Sequence, residues 1–98
     1  MPIKTRWHSL RSESAPEAPG VYELGDFNGS VLYTGSSGNL KQSIARQANG
    51  QDPRIGERAV WFRYEQTATF VTRLDELLAE YEEAHGTLPP RNGEDAPA

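Results

Sequence analysis

Two short β-prone runs open the folded part of the chain. Val21 to Leu24 lies between Gly20 and Gly25, and "SVLYTG" follows at residues 30–35. Between them stands "GDFNGS". Its Asn28-Gly29 pair is a strong hairpin signal, because both residues tolerate positive φ. An apolar stripe at four-residue spacing comes next, Leu40, Ile44 and Ala48, and predicts a helix over residues 40–48. Asn39 is placed to cap it, with Gln42 three residues on in the capping-box position. Asn49-Gly50 ends that helix, and residues 51–58 read as a loop. "AVWFRYEQ" is β-branched and aromatic and predicts a third strand. "TRLDELLAEYEEAH" is the clearest helix, with Leu74, Leu77, Leu78 and Tyr81 on one face and Thr72 as its cap. Gly86 stops it, and Pro89-Pro90 is expected to prevent a restart. The order β-β-α-β-α predicts an α+β fold, a small antiparallel three-stranded sheet flanked by helices.

Composition bounds this picture. With 98 residues the chain is one small domain, residues 16–92. Residues 1–15 are expected as a loosely ordered lead-in pinned by Trp7 and Leu10, and residues 93–98 as a disordered tail. There is no cysteine, which excludes disulfides and thiolate metal sites. No apolar run is long enough for a membrane span, and the N-terminus lacks a secretory h-region. A soluble cytoplasmic protein is the simplest expectation. The formal net charge is −4. An acidic surface repels a phosphate backbone at long range, so global charge argues mildly against nucleic-acid binding, while a local patch can still provide it.

Chemistry is sparse. There is no Walker loop, nucleophile elbow or paired-histidine motif, and the two histidines, His8 and His85, exclude a histidine-rich metal site. His85 reads best as a packed or capping residue at the negative end of its helix. Tyr22 and Tyr33 sit on the two arms of the hairpin, each beside a glycine, in "GVY" and "YTG". On spacing alone they are ordinary strand aromatics.

Their company changes that reading. Gly20-Val21-Tyr22, Tyr33-Thr34-Gly35 and the turn Ser36-Ser37-Gly38-Asn39-Leu40 resemble the opening of the GIY-YIG nuclease domain. Glu80 and the segment Pro89 to Asn92 resemble its closing acidic residue and Pro-x-x-Asn element. The similarity spans about residues 16–92. It implies cleavage of DNA phosphodiesters with one divalent ion, Mg²⁺ or Mn²⁺. It implies roles for Tyr22 and Tyr33 in the cleft, one as general base. It makes Glu80 the metal ligand and Asn92 a brace. A hard cation that keeps most of its waters needs only one carboxylate beside a phosphate. Glu80 also lies about 60° from Leu77 around the helix, at the border of the apolar stripe.

The pattern breaks at Ser43. The family's phosphate-binding arginine belongs ten residues after the second tyrosine, and Gln47 stands where relatives often carry histidine. A serine supplies no charged bidentate donor. Arg46, three residues on and joined by Lys41, is the candidate substitute, with a plain solvated arginine as the alternative. Three functions stay open: a metal-dependent nuclease, a degenerate relative binding nucleic acid or a protein partner, and a structural domain in which Trp61, Phe62 and Tyr64 form core or contact surface.

Overall fold

The computed structural model describes Ile3, residues 5–50, Ile55 and residues 58–94. Four strands form one antiparallel sheet: β1 (His8–Ser9), β2 (Gly20–Gly25), β3 (Val31–Ser37) and β4 (Trp61–Gln66), in the order β1-β4-β2-β3. β2 is central and buried along its whole length, so alternate side chains feed two separate cores. Tyr22 lies opposite Gly35 and Tyr64, and Leu24 lies opposite Tyr33 and Phe62. That face is covered by α1 (Leu40–Ala48), whose Leu40 and Ile44 pack with Leu10, Leu24, Leu32, Ile55 and Phe62. Val21 points the other way, onto Leu77 of α2 (Phe70–His85), with Ile3, Phe70 and Leu74 around it. No helix among the described residues is long and apolar enough to cross a membrane.

The α+β class holds, with corrections that have physical causes. The sheet has four strands instead of three. β1 is two residues long, too short for any alternation to register, and is fixed by distant partners. His8 pairs with Phe62 and stacks on the Phe62 and Tyr64 rings, and the Leu10 amide donates to the Val60 carbonyl. The segment read as a loose lead-in therefore carries a strand and buries Leu10 and Ala15; Met1, Pro2 and Lys4 lie outside the described residues. The hairpin forms, but only Gly29 takes positive φ, 82°. Asp26 organises the turn: its Oδ1 accepts from the Asn28 and Ser30 amides and its carbonyl from the Gly29 amide. This is a turn ending in a left-handed glycine, and it replaces the two-residue turn expected from Asn-Gly.

α1 starts where expected, with Asn39 Oδ1 accepting from the Gln42 amide at 3.2 Å. α2 begins at Phe70, after Thr69 and ahead of Thr72, because Phe70 adds apolar area to the second core. Its end is as expected, Gly86 in the left-handed region with its amide on the Glu82 carbonyl. A third helix, α3 (Pro90–Glu94), does follow the prolines. Proline breaks a helix interior, but at the first position its missing N–H would be unpaired anyway. Of the expected loop, residues 51–54, 56 and 57 lie outside the described residues, as do residues 95–98 of the expected tail. Phe62 is fully buried, Tyr64 packs at the margin of the first core, and Trp61 is exposed.

β1 is anchored by one carboxylate. Glu13 accepts from the Ser9 amide at 3.0 Å, shares a 2.9 Å bond with His8 Nδ1, and pairs with Arg6. The His8 bond, then the Ser9 amide, hold its pKa down from 4.5 to about 2. A depressed carboxyl stabilises the fold above its unfolded value and loses that contribution as pH falls. Thermal unfolding of wild type and Glu13→Gln should therefore differ at pH 6 and converge as pH falls from 4.5 toward 2. Parallel curves over that range would contradict the anchor.

Candidate functional site

The two tyrosines meet over a glycine. The Tyr22 and Tyr33 rings lie 6.1 Å apart, tilted by 46°. Tyr22 is buried and Tyr33 is half-buried. A Cβ built on Gly35 would lie 2.8 Å from Tyr22 Cζ, Tyr22 Oη and Tyr33 Cε2. The last letter of "YTG" is thus a space requirement, as both rings cross the backbone there. Gly35→Ala should displace the rings and cost about 1–3 kcal/mol. Gly38, with nothing within 4 Å of its would-be Cβ, provides the control, and Gly38→Ala should stay within about 0.5 kcal/mol. Equal unfolding temperatures for the two variants would contradict this geometry.

Asn92 closes the free edge beside them. β3 is the edge strand, and an edge leaves backbone groups without a ladder partner. From α3, the Asn92 side chain accepts from the Thr34 amide and donates to the Thr34 carbonyl, both at 2.8 Å. One side-chain amide so imitates a neighbouring strand at the residue between Tyr33 and Gly35.

The start of α1 is closed in another way. The Leu40 amide donates to the Ala18 carbonyl and the Lys41 amide to the Pro16 carbonyl. Gln42 uses Asn39 Oδ1, and Ser43 the Asn39 carbonyl. A helix N-terminus attracts anions through amides that lack partners, and here the first four are taken. Ser43 Oγ donates to Ser37 Oγ at 2.6 Å, and Ser37 Oγ also accepts from the Asn39 amide. Gln47, one turn beyond Ser43, is buried. Arg46 and Lys41 are exposed, and Arg46 makes no hydrogen bond or ion pair among the described residues.

Glu80 is half-buried on α2 and lines a cavity of about 290 Å³ against the other face of the sheet. Glu23, Arg63, Tyr81 and His85 line it with Val31, Leu77 and Ala84. Neither Tyr22 nor Tyr33 is among these residues. Glu23 is 5% exposed and accepts from Arg63 Nε at 2.6 Å. The Arg63 guanidinium lies 4.2 Å above the centre of the Trp7 ring, and Trp7 lies flat over Gly25. His85 is exposed and its ring stacks on Tyr81 with centroids 4.1 Å apart. Among the described residues no group of three His, Asp or Glu side chains is placed to hold a metal ion together. The donor set fits only a hydrated hard ion held by Glu80, and does not fit a caged one.

The structure therefore gathers Tyr22, Tyr33 and Asn92 around one stretch of β3. It sets Glu80 in a cavity with Glu23 and Arg63, and leaves Arg46 in solvent. Sequence reasoning missed Glu23 and Arg63. The signal for them was available as opposite charges on paired strands, but only a known register makes Glu23 face Arg63.

Comparison with known proteins agrees with the fold. Residues 1–84 match a family described as Domain of unknown function (DUF7508). The UvrABC system protein C of Neisseria gonorrhoeae is 33% identical over 70 residues, 69% of this chain and 11% of that protein. The same protein from Zymomonas mobilis is 32% identical over 82 residues, 82% of this chain and 12% of that one. The chain thus spans about a tenth of these relatives' length. A solved structure, the GIY-YIG N-terminal endonuclease domain of UvrC from Thermotoga maritima, covers 85% of this chain and 89% of its own. That structure is a point mutant bound to its catalytic divalent cation, with a TM-score of 0.58 and 24% identity, a likeness of fold. The fold formed here is like that of this GIY-YIG domain, and the chain belongs to the family described as Domain of unknown function (DUF7508).

Proposed function

We propose that this domain is a divalent-metal-dependent endonuclease acting on DNA phosphodiester bonds. The observation that carries the reading is the clamp of Asn92 on Thr34, at 2.8 Å twice. It fixes the one strand segment that bears Tyr33 and the glycine on which Tyr22 rests. In this reading a tyrosine hydroxyl takes the proton of the attacking water, Glu80 is the metal ligand, and Asn92 keeps the edge strand from shifting. A bound Mg²⁺ or Mn²⁺ would lower the pKa of a coordinated water and stabilise charge on the phosphate. The named relatives are UvrC proteins and one solved neighbour carries a divalent cation, which supports DNA as substrate and a divalent ion as cofactor.

A second reading, a silent module that binds nucleic acid or a protein partner, is favoured by one observation. Ser43 stands at the arginine position and spends its hydroxyl on Ser37. Losing one preorganised donor slows a reaction by about 10²–10³, so the active reading predicts slow turnover. Binding and cleavage of the same duplex, measured separately with Mg²⁺ and Mn²⁺, distinguish the two. Slow cut product with either ion supports the enzyme. A tight complex with no product over days supports the silent module.

A further inference from the structure

We propose that the hairpin end of the sheet is a stacking surface for unpaired nucleic-acid bases, with Phe27 and Trp61 for the bases and Arg11 and Arg58 for the phosphates. It deepens the DNA half of the nuclease reading and rests on it for its biological use, but it needs no cleavage. Several chain segments line up at this end. Arg11 Nη1 donates to the Ala59 carbonyl at 3.0 Å, the Leu10 amide to the Val60 carbonyl and the Val60 amide to the Gly25 carbonyl. Segments bonded in this way lie about 4.8 Å apart, which brings the backbones at Arg11, Arg58 and Phe27 within about 15 Å of one another.

Phe27 is 85% exposed and Trp61 37%, two of the three large apolar side chains that stand exposed among the described residues. Trp61 lies directly opposite Gly25, the residue that leads into the hairpin turn. The turn itself makes no use of the Phe27 ring. It is closed by the Asp26 carboxylate on two amides and by Gly29 at φ 82°, so a polar residue would serve the fold equally at position 27. A single exposed apolar residue is ordinary. An exposed Phe on a well-bonded turn, with an exposed Trp and two exposed arginines at the same sheet end, is the combination that holds a single strand: flat faces for bases and cations for phosphates.

Local charge agrees, although the chain carries a net −4. Arg11 and Arg58 are exposed, and the Arg58 side chain makes no hydrogen bond or ion pair among the described residues. Asp26 is the only acid in residues 9–11, 25–31 and 58–61, and two amides share its charge. Glu13, just beyond Arg11, is already bound to Arg6 and His8. The surface also continues the tyrosine site. Tyr33 lies opposite Leu24, one rung from Gly25, so a strand laid past Tyr33 reaches Phe27 roughly 10 Å along the hairpin.

The test is binding of the whole chain to two labelled DNA hairpins, in chelator so that no chemistry intervenes. One ends in an unpaired oligoadenylate tail and the other is blunt. The tailed DNA should bind more tightly. Phe27→Ser should lose roughly 5- to 100-fold on the tailed DNA, with its thermal midpoint and its salt dependence unchanged. Val71→Ser, the same kind of change at an exposed apolar residue of α2, should bind as wild type. Arg58→Gln should weaken both DNAs and lower the slope of log affinity against log salt by about 0.7 on the tail. The indole NMR signal of Trp61, assigned with Trp61→Phe, should move with the tailed DNA alone. Equal binding by Phe27→Ser and Val71→Ser, or an unmoved Trp61 signal, would overturn the proposal. Wild-type protein that binds neither DNA would overturn it too, and would leave this end of the sheet to a protein partner. Binding as described without any cleavage in Mg²⁺ would leave this proposal standing while the nuclease reading fails. Cleavage with no preference for the tail would do the reverse.

Discussion

Arg63→Ala should be among the most destabilising single substitutions in this chain, by about 3–5 kcal/mol. Glu23 sits at the centre of the sheet with its side chain 6% exposed, and its partner is the Arg63 Nε at 2.6 Å. Removing the guanidinium leaves a carboxylate out of reach of bulk water and without its counter-charge. The variant also strips the cation from the Trp7 ring, which adds lost packing to lost charge. For a domain of this size the shift in thermal midpoint should be of the order of 10–25 °C. Glu23→Gln/Arg63→Gln should recover more than half of that, because no charge is left buried. The double-mutant cycle is the measurement that checks it. Additive losses in the two single variants would mean that the pair is solvated in solution and contributes little.

The second large effect concerns chemistry. On the proposed nuclease reading, Glu80→Ala should reduce metal-dependent cleavage by about 10³-fold or more, the scale expected when a carboxylate ligand of a charge-stabilising ion is lost. Glu80 belongs to neither apolar core, so its removal opens no cavity there, and the thermal midpoint of the variant is measured beside its activity. Tyr22 differs in this respect. It is 5% exposed and part of the first core, so Tyr22→Ala would confuse folding with activity. Tyr33→Phe and Glu80→Ala are the informative pair.

Much of the fold was legible because local signals agreed with tertiary ones. The hairpin was marked by Gly29, α1 by Asn39 and its apolar stripe, and the end of α2 by Gly86. What escaped was set by partners far along the chain. β1 exists because Val60 and Phe62, far along the chain, receive it, and neither leaves a pattern in residues 8–9. α2 started one turn early because Phe70 found the second core. α3 escaped because a rule about helix interiors was applied to a first position.

The candidate site divides along the same line. The tyrosine motifs and Asn92 could be picked out by their resemblance to a known domain, and the structure supplies a reason for the glycine between them. The reason for Ser43 was not visible, because it lies in a side-chain bond to Ser37 and in carbonyls from Pro16 and Ala18 that plug the helix. Nor was the Glu23–Arg63 pair, which depends on strand register. Arg46 was a candidate by helical spacing, and it stands exposed on α1, outside the Glu80 cavity.

The central claim, that the domain cuts DNA with Glu80 as its metal ligand, is tested most directly on supercoiled plasmid. Wild type and Glu80→Ala, matched in concentration and checked for equal folding, are incubated with Mg²⁺, with Mn²⁺ and with chelator. Slow nicking by the wild type with either ion, absent with chelator and absent in Glu80→Ala, is the predicted result. Intact plasmid in every lane, or nicking that survives Glu80→Ala, would contradict it.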